Sequence, residues 1–452
     1  MDALSRYFGV AEAGSTVRRE VSGGVTTFAT MSYIIFVQPT VLAMAGMDFG
    51  GVLAATCLSA AVGCFLMGFL ARYPFALAPG MGENFLFVFT VCLGMKFSWQ
   101  AALGIVFISG ALFVALSLFK IREKVLDVFP DCLKSAIGPA IGLFIALIGL
   151  QWGGIVVLNP ATMVSLGSLR HGAPLLSLFG VLLICTLMAR QFRGGILAGI
   201  LATTALGLFS GVIPLKLEWV SPSFEPFFQL RFGELLARPL DAAVAIALFF
   251  FLDLFDTVGT LVGVSSQAGF LDESERLPRA GRAFLADALA SCVGALFGTS
   301  TVTSYVESAA GVAEGARTGL AAVVTGLCFI ASIALTPVVA LVGQDVGPAY
   351  FAALGIENSL TPMHPAVAPA LIVVGFFMIG GLRKVNWGDV TEGLPAFLTV
   401  AMMAFGYGIT EGISAGCISY AAIKTSTGRH REVHPVMYAV AVALAARYAF
   451  LV

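Results

Sequence analysis

Six polar side chains stand where their surroundings are apolar. In FFFLDLFDTVGTLVG, residues 249 to 263, Asp253 and Asp256 lie three apart and Thr260 follows Asp256 by one turn, so on a helix the three occupy neighbouring faces. Glu307 is alone in TSYVESAAG, and Glu83 and Asn84 close the glycine-rich APGMGEN. An ionised carboxylate accepts N–H bonds from a planar ligand, whereas a protonated one carries a proton. Two carboxylates close together in low dielectric resist ionising together, so one of them can hold a proton near neutral pH. On this reading Asp256 and Glu307 face each other across an aqueous pocket, with Thr260 beside them. Asp253 either joins the proton chemistry or stabilises the site helix. Asn84 offers both a donor and an acceptor. Glu83 either joins the site or faces water. The competing structural reading has the acids paired with backbone or an Arg, and Asn84 capping a helix.

The elements that must position these groups are set by composition. The chain has 452 residues, 58% hydrophobic and 11% charged, with a mean hydropathy of +0.95. One soluble core could not cover that much apolar surface, so the expectation is an all-α polytopic membrane protein. An acid at bilayer depth costs at least about 2.5 kcal/mol, which makes each of these acids a functional candidate by default. The first twenty residues contain no apolar stretch of signal-peptide kind, and the first helix is expected to be its own targeting signal.

Fourteen or fifteen apolar runs recur between residues 22 and 452, and 392 to 423 reads either as one broken segment or as two short ones. Basic clusters at Arg18/Arg19, Lys120/Arg122/Lys124, Arg190/Arg193, Arg276/Arg279/Arg282 and Arg383/Lys384 fall on one side if the runs alternate, which places the N-terminus in the cytoplasm and the chain in the cell membrane. Longer connections at 158 to 173, 214 to 240 and 343 to 364 then lie outside. The chain midpoint falls in the second of them, with about seven runs on either side, so two structural repeats are expected. The third run of each half is broken by small residues and followed by a polar group. Those groups are Asn84 and Glu307, 223 residues apart, and an odd number of helices per repeat would invert the halves and bring the breaks together.

Other chemistries find little support. APGMGEN lacks the Lys and Ser/Thr of a phosphate-binding loop, so no nucleotide triphosphate site and no cofactor are expected. With a net charge of −1 and no basic patch, nucleic acid is not a partner. The eight cysteines read as small buried hydrophobes, without disulfide or metal spacing, and the four histidines as solvated loop residues. Asp287 and Glu411 are read as structural, and Gly138/Gly142 and Gly195/Gly199 as close-packing pairs.

Several stretches, spread over nearly the whole chain, resemble one family: GGVTTFATMSYIIFVQP, ATCLSAAVGCFLMGFLARYPFALAPGMGEN, FLDLFDTVGTLVGV, TSYVESAAGVAEGARTGL and GYGITEGISAGCISY. They are similar to the xanthine/uracil permease superfamily of nucleobase:cation symporters, in its azaguanine-resistance-type branch of adenine, guanine and hypoxanthine permeases. The resemblance implies about fourteen transmembrane segments in two inverted repeats of seven. Residues 1–135 and 241–342 would form a core domain, and residues 136–240 and 343–452 a gate domain. Short extended stretches in segments three and ten match 76 to 83 and 300 to 306. It also implies that Asp256, Glu307, Asn84 and Thr260 bind the substrate, a purine nucleobase entering with a proton or a sodium ion, in a chain that contacts membrane lipids and can form a homodimer. The chain departs from the family pattern at Gln38, where Asn is usual before the Pro, and at Glu83, where an apolar residue is usual. An inorganic-anion carrier or channel of the same architecture is the alternative, but it would call for cations at the site. A membrane-embedded enzyme would call for a clustered acid motif at a membrane face.

Overall fold

The computed structural model describes residues 2–119, 128–159, 162–215, 221–272, 277–353 and 362–450. Lys120, Arg122, Lys124 and Arg276 lie outside them. Eight helical spans among the described residues are long and apolar enough to cross a bilayer, from Val17–Ala43 to Gly319–Ala352. Shorter apolar helices follow the same pattern at Met81–Gly94, Gly195–Phe209, Val390–Phe405 and Pro435–Ala446. A bilayer offers no partner for backbone N–H and C=O groups, so each span satisfies its own.

The helices sort into two packed groups. Val17–Met31, Phe49–Leu66, Trp99–Phe119, Pro239–Ala268, Ala280–Phe297 and Gly319–Ser332 pack among themselves. In the second group are Asp131–Trp152, Gly172–Ala189, Gly195–Phe209, Ala368–Met378, Val390–Phe405 and Ile409–Ser426. Small residues set the closest approaches, since lipid-embedded helices associate by van der Waals contact. A Cβ on Gly142 would lie 2.6 Å from Met378 Cβ and 2.7 Å from the Gly375 carbonyl. Gly138 does not share that role, because nothing lies within 4 Å of its would-be Cβ. It faces a cavity instead.

Residues 392 to 423 form two helices, Val390–Phe405 and Ile409–Ser426, folded against each other across Gly406–Gly408. The ion pairs of Arg429 with Asp389 (2.6 Å) and Glu432 (2.7 Å), and of the fully buried Lys424 with Glu432 (2.7 Å), tie the far ends of that hairpin. The Arg429 guanidinium holds the Glu432 carboxyl down at about 2.

The outer connections differ from expectation. VVLN and MVSL, within 156 to 166, make an antiparallel hairpin of β2 (Val156–Asn159) and β3 (Met163–Leu166), an exception to an all-α chain. Runs of Val, Leu and Thr on a half-exposed loop favour that pairing. The stretch 221 to 238 is strapped over the first helix group. Phe228 N–H donates to Leu296 O (2.7 Å), Arg231 N–H to Gln100 O (3.1 Å), and Ser98 donates twice to the Glu234 carboxylate. His364 is not solvated. It is buried against Trp152, with ring centroids 4.7 Å apart, and its Nδ1 meets Gly343 O at 2.9 Å. Desolvation lowers its pKa. The eight cysteines are all free, five of them buried outright, but Cys185 is exposed.

Candidate functional site

Two short strands cross at the heart of the first helix group. β1 (Leu77–Pro79) and β4 (Val302–Ser304) pair antiparallel, with Ala78 opposite Thr303. Gly80 N–H donates to Thr301 O and Tyr305 N–H to Ala76 O, each at 2.9 Å. The free edge of β1 is covered by Cys64, whose Sγ accepts from Leu77 N–H at 3.3 Å, and the Pro79 carbonyl by the Tyr305 hydroxyl at 2.5 Å. Every polar backbone group freed by the breaks must find such a partner when water is absent. The first extended stretch is shorter than 76 to 83, because a helix begins at Met81, while the second has its strand at Val302–Ser304 within 300 to 306 and is followed by a helix at Ser308. Glu83 and Asn84 therefore ride the first turn of one helix, and Glu307 is the N-cap residue of the other.

A cavity of about 230 Å³ lies where the two helix groups meet. One wall comes from Gly82, Glu83, Leu252, Phe255, Asp256, Gly259, Thr260 and Val306. The facing wall comes from Lys134, Ile137, Gly138, Ile141 and Met378. The volume is at the small end for ligand pockets, which suits a compact planar ligand. Two acids and one hydroxyl thus face a mostly apolar wall that has a single cation, Lys134, ion-paired to Asp131 at 2.6 Å. Sequence reasoning passed over Lys134 because it precedes the apolar run; only the turn of the Asp131–Trp152 helix brings it to the cavity.

The other predicted groups sit behind this wall. The Glu307 carboxylate accepts from the Tyr33 hydroxyl at 2.8 Å. Tyr33 is placed there by a break between the helices Val17–Met31 and Ile34–Ala43, the second of which contains Pro39. Asn84 is fully buried; its Oδ1 accepts from Ser300 Oγ and its Nδ2 has no partner. Asp253 is buried, with Oδ2 3.2 Å from Ser291 Oγ and Oδ1 unpartnered. Of the four acids predicted for the site, the cavity wall takes Asp256 and Glu83, while Glu307 and Asp253 stand back from it.

Asp287, read from sequence as structural, holds the crossing in place. It accepts from Thr257 Oγ1 and Ser304 Oγ, both at 2.7 Å, so one carboxylate joins the Asp256 helix to β4. Thr303 lies 3.0 Å from Thr257 and also bonds Asp256. Gln38, seen from sequence only as a departure from a family pattern, donates from Nε2 to Thr299 Oγ1 (2.7 Å) and Ser300 Oγ (3.3 Å). No ion pair among the described residues reaches Glu83, Asp253, Asp256, Asp287 or Glu307. Five acids thus share one buried region in which, among the described residues, none of them has an ion-pair partner, and charging all of them together is disfavoured there.

The Permease family profile of xanthine/uracil type matches residues 18–356. A guanine/hypoxanthine permease of Bacillus subtilis (strain 168) is 42% identical over 460 residues, covering 99% of this chain and 100% of its own length. An adenine permease of Escherichia coli (strain K12) is 40% identical over 451 residues, covering 99% and 96%. The transmembrane domain of a cyanobacterium bicarbonate transporter superposes with a TM-score of 0.62 at 15% identity, covering 88% of this chain and 97% of that one. That likeness concerns the fold alone.

Proposed function

The chain belongs to the xanthine/uracil permease family, whose members here are permeases and not enzymes, and from that premise we propose that it imports purine nucleobases by proton-coupled symport across the cell membrane. The observation that carries the proposal is the cavity at the meeting of the two helix groups, with Glu83, Asp256 and Thr260 on one wall. A purine presents ring N–H groups at its edge and a flat apolar face. Asp256 and Glu83 accept from the edge and the Thr260 hydroxyl completes it, Ile137 and Ile141 cover the face, and Glu307 and Asn84 back the wall from behind.

In this reading residues 1–135 and 241–342 form a core that moves against a gate of residues 136–240 and 343–452, exposing the cavity to each side in turn. The strand register supports two inverted repeats of seven segments. Pro79 and Val302 are partners 223 residues apart, the same offset that separates Asn84 from Glu307. A two-fold axis in the membrane plane through that pair would exchange the two half-helices. Proton coupling rests on the acid cluster, none of whose members is ion-paired among the described residues. An acid holding a proton lets the loaded core cross without a net buried charge, and sodium is the ion that would serve in its place. Two acids against one lysine on the wall disfavour the anion carrier that the fold alone would allow.

The test is uptake of labelled hypoxanthine, guanine, adenine, xanthine and uracil into proteoliposomes under an imposed proton gradient, with wild type beside Glu307→Gln. Gradient-driven purine uptake lost in the variant supports the reading. Uptake of no base returns the anion carrier, whereas purine uptake indifferent to Glu307 removes Glu307 from substrate and proton handling.

A further inference from the structure

Lys134 stands in the first turn of the Asp131–Trp152 helix, and Lys134, Ile137, Gly138 and Ile141 recur at the spacing that puts all four on one helix face, the face that lines the cavity. Glu83 and Asp256 are on the wall across from them. Among the described residues that line the cavity, Lys134 is the single cation. Its side chain is 27% exposed, but the carboxylate it pairs with, Asp131 at 2.6 Å, is 95% exposed. Water screens a pair of that kind, so Asp131 holds the lysine weakly. No ion pair among the described residues reaches Glu83 or Asp256. Two acids with no counter-charge thus face an ammonium carried on a flexible four-carbon stem and held by a partner that water can replace.

We infer that Lys134 is a release residue, whose ammonium exchanges between exposed Asp131 and the carboxylates of Asp256 and Glu83 and, in the second position, displaces the bound base. This rests on the purine-permease reading, on those carboxylates accepting from the base, and on a cytoplasmic N-terminus. The competition favours the lysine. A purine offers neutral N–H groups to the carboxylates, whereas the ammonium makes a charge-assisted bond, roughly twice as strong. The competition is also one-sided. Lys134 sits at the end of its helix that faces the cytoplasm, and Asp256 belongs to Pro239–Ala268 in the other helix group. Movement of one group against the other takes the acid away from Lys134 and restores its hold on the base. Displacement is then confined to the side on which an importer must let go.

The experiment is equilibrium binding of labelled hypoxanthine to the purified full-length protein, with initial rates of uptake into proteoliposomes alongside. Lys134→Gln removes the competitor and should tighten binding about two- to fivefold, while the maximal rate of uptake falls because release is slowed. Asp131→Asn takes away the exposed partner and should weaken binding by about the same factor. The double variant should bind like Lys134→Gln, since Asp131 acts only through the lysine. Lys134→Arg, which keeps the charge, should bind like wild type. General damage to the fold weakens binding and slows uptake together; it does not move the Kd in opposite directions for two residues one turn apart. Weaker binding in Lys134→Gln would overturn the inference by making the lysine a donor to the base, and tighter binding with an undiminished maximal rate would refute its part in release. Should Lys134→Gln not survive purification, Asp131→Asn decides alone, and binding as tight as wild type or tighter refutes the exchange of partners. Constants unchanged in both variants overturn the inference and leave the purine reading standing, whereas a wild type that binds no purine removes both.

Discussion

Gly138 and Gly142 lie one turn apart on the Asp131–Trp152 helix, and the same substitution at the two positions should have opposite consequences. At Gly142 an added Cβ would sit 2.6 Å from Met378 Cβ, 0.8 Å inside the 3.4 Å at which ordinary contact begins, and 2.7 Å from the Gly375 carbonyl. The two helix backbones must separate to admit it, and overpacking of this kind costs about 1–3 kcal/mol. At Gly138 nothing lies within 4 Å, so Gly138→Ala collects only the helix-propensity gain, about 1 kcal/mol. That gain is common to both variants and cancels in their difference, leaving Gly142→Ala less stable than Gly138→Ala by the overpacking term alone, about 1–3 kcal/mol. Thermal unfolding of the purified variants in detergent, followed by gel filtration, measures the order. Ligand binding gives the complementary readout. A methyl at Gly138 enters the cavity opposite Asp256, so purine affinity should fall from Gly138→Ala to Gly138→Val while Gly142→Ala keeps near-normal affinity. Equal unfolding temperatures, or a loss of affinity confined to Gly142→Ala, would refute the placement of this helix between the cavity and the Ala368–Met378 helix.

Other expectations follow from contacts remote from the cavity. Arg193 and Glu314 form an ion pair between the two helix groups; a disulfide in Arg193→Cys/Glu314→Cys, made in a background lacking Cys185, should stop transport until it is reduced, and transport that continues while cross-linked would exclude relative movement there. Glu20, fully buried, accepts from Arg317 N–H (2.9 Å) and Thr318 N–H (3.2 Å) ahead of the Gly319–Ser332 helix. Glu20→Ala leaves two buried donors unpaired and should lower stability by about 2–5 kcal/mol, a value that an unfolding temperature within a degree of wild type would contradict. Glu432 has a folded-state pKa depressed from 4.5 to about 2, with its hydrogen bond to Arg429 the largest cause. A depressed acid stabilises above its unfolded pKa and loses that contribution as pH falls through the folded one, so the window runs from about 4.5 down to about 2. Arg429→Met should flatten the acid limb of unfolding temperature against pH across that window; parallel curves for variant and wild type would rule the pair out as a contributor.

Much of this was legible in the chain because bilayer physics is written in composition. Runs of apolar residues announce the spans, and an acid such as Asp256 inside one stands out because hydrocarbon gives it no solvent. The two broken segments were also visible, since APGMGEN and TSYVESAAG interrupt their runs with residues that do not hold a continuous helix. What the sequence left open was pairing and direction. Only tertiary structure sets β1 antiparallel to β4, turns Gly138 to a cavity while Gly142 meets Met378, and draws Lys134 onto the wall facing Asp256. Asp287 and Gln38 looked ordinary because their partners, Ser304 and Ser300, are near in space through a crossing that no local periodicity encodes. His364 looked solvated because its cover, Trp152, comes from the other half of the chain. Residue type and local spacing determine which groups can do chemistry at membrane depth; which of them share one cavity is decided by long-range contacts between helices that, in lipid, are chosen by shape and by hydrogen-bond satisfaction rather than by hydrophobic pattern.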